Sequence, residues 1–156
     1  MAKGQFGKKR TENVIRRTFK EFNSKEGTKE SSQKYLDIYD SSKNYESIKK
    51  SFSKSDTFYV AEEKRKIIGV VRGKNLGNGS FKLINLFVDG KYHKKGIATY
   101  LVNKFENSVK KKGGKIIKLN ASMFAINFYL KKGYKKSTGV RNHKGAKIQP
   151  MKKELK

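Results

Sequence analysis

Residues 90–98 read Gly90-Lys91-Tyr92-His93-Lys94-Lys95-Gly96-Ile97-Ala98, between an apolar stretch and an amphipathic one. A glycine-bearing turn at the start of a helix leaves backbone N–H groups unpaired and pointing outward, and the helix dipole adds partial positive charge. Lys91, Lys94 and Lys95 add full charges around that point, and Gly96 lets a ligand approach the backbone. A phosphate fits this cradle, although an ordinary solvated strand-to-helix turn has the same composition. The chain holds no cysteine and only two histidines, which excludes disulfides and thiolate-bound metal and leaves zinc short of ligands. No metal is expected.

The elements on either side position the cradle. Ser80 to Val88 reads as a strand, with Phe81, Leu83, Asn85 and Phe87 on one face and Lys82, Ile84, Leu86 and Val88 on the other. After the cradle, Ile97, Leu101, Val102, Phe105 and Val109 form one helical stripe ending at Gly113. Lys115 to Leu119 is a short strand, parallel to the previous one because a strand-helix-strand unit requires it. Asn120 is expected to cap a further helix that buries Ala121, Phe124, Ala125 and Phe128 and ends at Gly133.

Upstream, Thr11 reads as the N-cap of a first amphipathic helix, Thr28 as that of a second, and a shorter helix is expected from Asn44. Thr57 to Glu62 and Ile67 to Arg72 form a hairpin, and Gly73 to Gly79 reads as a turn. Tyr134 to Gly139 and Ala146 to Met151 read as a closing hairpin. There is no internal repeat and no linker, so residues 1–156 are expected to form a single domain.

The formal net charge is +26. Residues 91–156 carry 19 Lys and Arg against only Glu106 and Glu154, while residues 1–90 carry 20 against 11 acids, so the excess is concentrated in the second part. Self-repulsion on this scale favours an anionic ligand or partner, and nonspecific nucleic-acid binding is one form it could take. No apolar run suggests a signal peptide or a membrane span, so no membrane partner is expected and the cytoplasm is the expected location.

Two motifs give the arrangement a family. His93-Lys94-Lys95-Gly96-Ile97-Ala98 is similar to a Gln/Arg-x-x-Gly-x-Gly/Ala signature, and Ala125-Ile126-Asn127-Phe128-Tyr129-Leu130-Lys131-Lys132-Gly133-Tyr134 is similar to an Ala-x-x-x-Tyr-x-x-x-Gly-Phe/Tyr segment. With the order of elements, residues 57–151 resemble the GCN5-related N-acetyltransferase (GNAT) superfamily. The resemblance implies the acyl-CoA N-acyltransferase fold. That fold is α/β in the α+β sense, with a mixed, mostly antiparallel central sheet splayed at a parallel strand pair and flanked by about four helices.

It also implies acetyl-coenzyme A as co-substrate, its pyrophosphate on the N–H groups of His93, Lys94, Lys95, Gly96, Ile97 and Ala98. The pantetheine arm would lie along the backbone of Leu86, Phe87 and Val88. Tyr129 would stabilise or protonate the leaving thiolate, since a phenol is a proton donor at neutral pH; a half-buried packing role beside Phe128 is the plainer alternative. Asn85 would orient water or substrate near the acetyl group. His93 stands where the family has Gln or Arg, and Ser122 where asparagine is common; Asn120 is assigned to cofactor contact or to capping. The family's opening strand is not evident in the basic stretch Ala2 to Arg10.

No carboxylate is poised as general base, which leaves a water chain to Glu62 or Glu63 or an amine that arrives neutral. The expected reaction is direct attack by a primary amine of a small molecule or protein. The charge disfavours polycationic acceptors. Tyr35, Tyr39, Tyr45, Arg141 and His143 are candidate liners of the acceptor side. A basic nucleic-acid-binding protein and a non-catalytic coenzyme A sensor are the competing readings, and a homodimer is left open.

Overall fold

A computed structural model describes residues 2–3 and 11–156. The strands are β1 (Ala2–Lys3), β2 (Thr57–Glu63), β3 (Lys66–Gly77), β4 (Ser80–Val88), β5 (Ile116–Ala121), β6 (Lys135–Lys136), β7 (Arg141–His143) and β8 (Ala146–Glu154). The helices are α1 (Thr11–Phe22), α2 (Lys29–Ile38), α3 (Ser41–Ser53), α4 (Ile97–Lys111) and α5 (Ile126–Lys131). Strand order is β1-β2-β3-β4-β5-β8-β6, with β7 paired to β8. Every pairing is antiparallel except β4 with β5.

The sheet separates two cores. On one face, Val14 and Ile15 of α1 and Ile48 and Phe52 of α3 pack against Phe58, Val60, Ile67 and Val70. On the other, Leu101, Val102, Phe105 and Val109 of α4, all fully buried, meet Val71, Phe81, Leu83, Ile117 and Met151. The stripe at helical spacing in α4 therefore faces the sheet, as its pattern requires.

Pairing of β4 with β5 covers three rungs, Ser80 with Ile116, Phe81 with Ile117 and Lys82 with Lys118. Beyond Lys82 the two strands part, and no rung joins Leu83–Val88 to Leu119–Ala121. This is the expected splay in a mixed, mostly antiparallel sheet.

Several expectations are corrected. The opening strand is present: Ala2 pairs with Val60 and Lys3 with Tyr59, in a piece too short to show in a propensity pattern. The remainder of the basic stretch, residues 4–10, lies outside the described residues. Thr11 is itself a helical residue of α1 and not its cap. Thr28 does cap α2, accepting from the Ser31 N–H at 3.0 Å. The third helix starts at Ser41, capped by Asp40, and Asn44 marks a kink inside it (φ −132°) rather than its start. Gly73 to Asn75 belong to β3, and the turn shrinks to Asn78-Gly79, both at positive φ, as a two-residue hairpin requires.

The most consequential correction is in β4. Arg72 pairs with Asn85 but Gly73 with Leu83, which leaves Ile84 as an extra, bulged residue. A one-residue slip exchanges the faces of everything beyond it. Phe81 and Leu83 thus share the α4 face with Leu86 and Val88, while Asn85 and Phe87 turn to α1–α3. The simple alternation expected over Phe81, Leu83, Asn85 and Phe87 does not hold.

Candidate active site

The turn after β4 is anchored by a residue the motif reading passed over. Asp89, buried at the strand end, accepts from the Lys91 N–H at 3.3 Å and from the Arg17 guanidinium of α1 at 2.8 Å. Burial alone would raise its carboxyl; the Lys91 N–H, Arg17 and the charge of Lys66 outweigh that and hold it below the ordinary carboxylate range. Gly90 lies so close to α1 that a Cβ would come within 2.7 Å of Glu21 Oε1. Arg17, Glu21 and Asp89 carry no local motif, so only their meeting across 70 or so residues reveals them.

Gly96 is the N-cap residue of α4, left-handed at φ 79°, ψ 5°, and no side chain caps the helix there. A Cβ at Gly96 would meet nothing within 4 Å, so glycine is required by conformation and the space above the turn is open. The first-turn N–H groups of α4 face that space without side-chain partners. His93 is committed elsewhere: its Nε2 donates to the Val88 carbonyl at 2.6 Å and its ring stacks on Phe22 at 4.5 Å. Lys95 lies over the Tyr92 ring, 5.5 Å from its centroid, and Tyr92 donates to Glu63.

A cleft of about 760 Å³ opens between the separated halves of β4 and β5. Leu86, Phe87, Val88, His93, Lys94, Gly96, Ile97, Ala98, Asn120 and Ser122 all line it; Lys95 does not. Asn120 lies in β5 opposite Pro150, so it is a strand residue and caps no helix; α5 begins only at Ile126. Ser122 begins a 3-10 turn, Met123–Ala125, with no side-chain cap bond.

Tyr129 lines the cleft from α5, 5 % exposed, its ring edge-on to Phe128 and Tyr134. Burial pushes its hydroxyl well above the usual phenol value, so the proton stays on. Beneath it, the Tyr134 hydroxyl donates to Glu106 at 3.0 Å, and Lys153 donates to the same carboxylate at 2.9 Å. The Tyr129 hydroxyl hydrogen-bonds to none of the described residues, so its proton is available to an occupant of the cleft.

Asn85 stands one layer behind the cleft wall. Its Oδ1 accepts from Arg72 Nε at 2.6 Å and from the Tyr39 hydroxyl at 3.3 Å, and its Nδ2 donates to the Tyr35 hydroxyl at 3.3 Å. Arg72 is itself buried, held by Tyr39, Ser51, Ser55 and the face of Phe52, with no described carboxylate paired to it. Of the expected acceptor-side liners, Tyr35 and His143 line the cleft, Tyr39 is buried in the Arg72 cluster, Tyr45 is exposed elsewhere, and Arg141 borders a smaller pocket beside Asn120. The cleft is bridged where Gly27 pairs with Ala146, Thr28 donates to the Gly145 carbonyl at 3.1 Å and Phe124 donates to Glu26 at 2.8 Å.

Among the described residues, no group of three or more His, Asp or Glu is arranged to hold a metal ion, and no helix is long and apolar enough to cross a membrane.

The sequence matches the acetyltransferase (GNAT) domain family over residues 16–155. No curated protein matches it. Among solved structures it is similar to the PaiA N-acetyltransferase of Thermoplasma acidophilum in complex with coenzyme A, at 22 % identity and a TM-score of 0.72 over 94 % of this chain and 91 % of that one. A GCN5-related N-acetyltransferase from Rhodopseudomonas palustris aligns over 99 % of both chains at 16 % identity and a TM-score of 0.76. An aminoglycoside 6'-N-acetyltransferase complexed with coenzyme A aligns over 99 % of this chain and 97 % of its own at 19 % identity and a TM-score of 0.66.

Proposed function

The chain belongs to the GNAT acetyltransferase family, and from that premise we propose that it transfers the acetyl group of acetyl-coenzyme A to a primary amine, acting as one domain over residues 1–156. The observation that carries this reading is the cleft between β4 and β5, which ends at the uncapped N-terminus of α4 and has the Tyr129 hydroxyl in its wall. Acetyl-coenzyme A, when bound, supplies a thioester that a primary amine attacks directly, giving an amide and the free thiol.

The chain's own groups fit that chemistry. The backbone N–H groups at the start of α4, with Lys94 beside them, suit a pyrophosphate, and the open space above Gly96 admits one. The backbone of β4 past Lys82 has no β5 rung to satisfy it on that side, so it offers hydrogen bonds to an extended amide-bearing arm and to a carbonyl oxygen on which charge develops. Tyr129, kept protonated by burial, donates to the departing sulfur. Phe22, Phe124 and Phe128 limit water in the cleft. Asn85 acts by fixing Tyr35 at the wall rather than by touching the acetyl group.

The cleft is lined by Lys34, Lys82, Lys94, Lys144 and Lys147 against the single carboxylate Glu26. Such a field disfavours polycationic amines and favours an acceptor with one amine, free or beside an acid group. The test is thiol release from acetyl-coenzyme A with a panel of amines: an amino acid, a peptide amino terminus, a lysine peptide and spermidine. Turnover with a singly charged or zwitterionic amine above that with spermidine is expected. Absence of thiol release across the panel, or preference for spermidine, overturns respectively the catalytic reading or the acceptor class.

A further inference from the structure

Strand register brings together five lysines that the sequence scatters. Lys74 of β3 pairs with Lys82 of β4, Lys82 with Lys118 of β5, Lys118 with Lys152 of β8, and Lys152 with Lys135 of β6. Directly paired residues point to the same face, so the five form one row across five adjacent strands. The face is the one opposite α4: Lys153, the neighbour of Lys152, reaches Glu106 on α4, and Met151 and Ile117 are buried in the α4 core. Helices α1–α3 pack on β2–β4, and the α1–α2 connection reaches β8 only at its start, where Gly27 pairs with Ala146, so the rung of Lys118, Lys152 and Lys135 on β5, β8 and β6 stays exposed on this side. Lys74, Lys118, Lys135 and Lys152 are exposed, and none of the five side chains makes an ion pair or hydrogen bond to a described residue.

Like charges directly opposite one another on a sheet are destabilising. A run of four successive lysine-lysine pairs is therefore a cost that the fold carries without an internal counter-ion. We propose that this row is a docking surface for the sugar-phosphate backbone of a nucleic acid. At about 4.8 Å between strands the row is roughly 19 Å long, a span over which a nucleic-acid strand presents several successive phosphates.

Its shape selects this polyanion over an anionic membrane surface. The charge is a line and not a plane: on β5 and β8 the flanking rows are Asn120 opposite Pro150 on one side and Ile116 opposite Glu154 on the other. A linear polyanion meets all five charges, whereas a lipid surface would also have to accept Glu154. The row crosses the last rung before β4 and β5 separate, and Lys82 also lines the cleft, so a bound strand would lie beside the acceptor entrance.

The probes are a labelled single strand of about 15 nucleotides, its duplex, and vesicles containing an anionic lipid. The row variant is Lys118→Gln, Lys135→Gln, Lys152→Gln; the charge-matched control is Lys110→Gln, Lys111→Gln, Lys131→Gln, on the two helices of the opposite face. None of these six lines the cleft, so acetyl-coenzyme A binding and the folded CD spectrum report that both variants are intact. The row variant is expected to bind oligonucleotide more than about tenfold more weakly at moderate salt and to lower the salt slope by about two, while the control changes affinity less than about twofold. The tighter of the two oligonucleotides identifies single or double strand. Equal loss in the control, wild-type binding to vesicles but not to oligonucleotide, or oligonucleotide binding unaffected by the row would each overturn the assignment. Because acetyl-coenzyme A binding is read separately, failure here leaves the acetyltransferase reading standing.

Discussion

The two halves of β4 are treated differently by the same sheet. Ser80–Lys82 is hydrogen-bonded on both sides, to β3 and to β5, and Phe81 and Leu83 fill the α4 core. Asn85–Val88 is paired only to β3, has passed the Ile84 bulge, and lines or backs the cleft. The first half shows what a central strand does when it is satisfied: it excludes water and carries packing. The second half is left with backbone groups to spend on a ligand, and the bulge decides which side chains look into the cleft and which into the Arg72 cluster.

Inserting one alanine between Arg72 and Gly73 should erase the contrast outright. Ile84 then gains a partner, the ladder runs without a bulge, and the pairs Arg72–Asn85 and Gly73–Leu83 fall on one face, so one half of the strand must leave its core. The expected cost exceeds about 4 kcal/mol, read as loss of cooperative unfolding; a variant with wild-type melting would show that the bulge does not set the faces.

Next comes Asn85→Leu, which leaves buried Arg72 Nε without its 2.6 Å acceptor. We expect about 3 kcal/mol of destabilisation in urea, with Tyr39→Phe smaller. Equal stability to wild type would mean the guanidinium finds another partner.

Tyr129→Phe should lower kcat by about 10²-fold with acetyl-coenzyme A affinity and melting temperature retained. An unchanged kcat would return Tyr129 to a packing role.

On the fully paired half, Gly73→Ala places a Cβ against the Lys82 carbonyl and 2.5 Å from the Phe105 ring. It should cost about 2 kcal/mol of stability and leave cofactor affinity per folded molecule unchanged. A change in affinity without a change in stability would contradict the division between the halves.

The mildest effect is with pH. On the proposed direct attack by an amine that arrives neutral, kcat/KM should rise until the acceptor amine is neutral and then stay level. Tyr129 is raised above the usual phenol value of about 10, so its proton is not lost there. The same shift means that folding stability falls as pH rises beyond that ordinary value, where only the unfolded chain ionises freely. A falling limb of kcat/KM below about pH 10, with stability intact, would show the hydroxyl titrating normally.

What could be read from the sequence was local. The stripe of α4, the glycine ahead of it, the strand before it and the Gly133-Tyr134 ending each follow from residues within a turn or two of one another. Most of the candidate cofactor residues fall together on the cleft for the same reason. What escaped depends on register and long-range meeting. The Ile84 bulge is stated only by the pairing of β3 with β4, and β1 exists only because β2 offers it an edge. Asp89 gains its role from Arg17, and Asn85 leaves the cleft because Arg72 and Tyr39 claim it. Asn120 looked like a cap because asparagine after a strand often is one, but β8 pairs Pro150 with it and Gln149 with Ala121, which keeps it in the sheet. The lysine row is of the same kind, since positions 74, 82, 118, 135 and 152 lie too far apart in the chain to form a local motif.

The central claim is that the half of β4 left without a β5 partner and the uncapped start of α4 together hold acetyl-coenzyme A. Its most direct test is a calorimetric titration of acetyl-coenzyme A into the protein at moderate and high salt, alongside a Gly96→Glu variant shown to be folded. One-to-one saturable binding that largely survives salt, and that Gly96→Glu weakens more than about tenfold, is the result this account predicts. Absence of saturable binding, or binding that disappears with salt and ignores the substitution at Gly96, would contradict it.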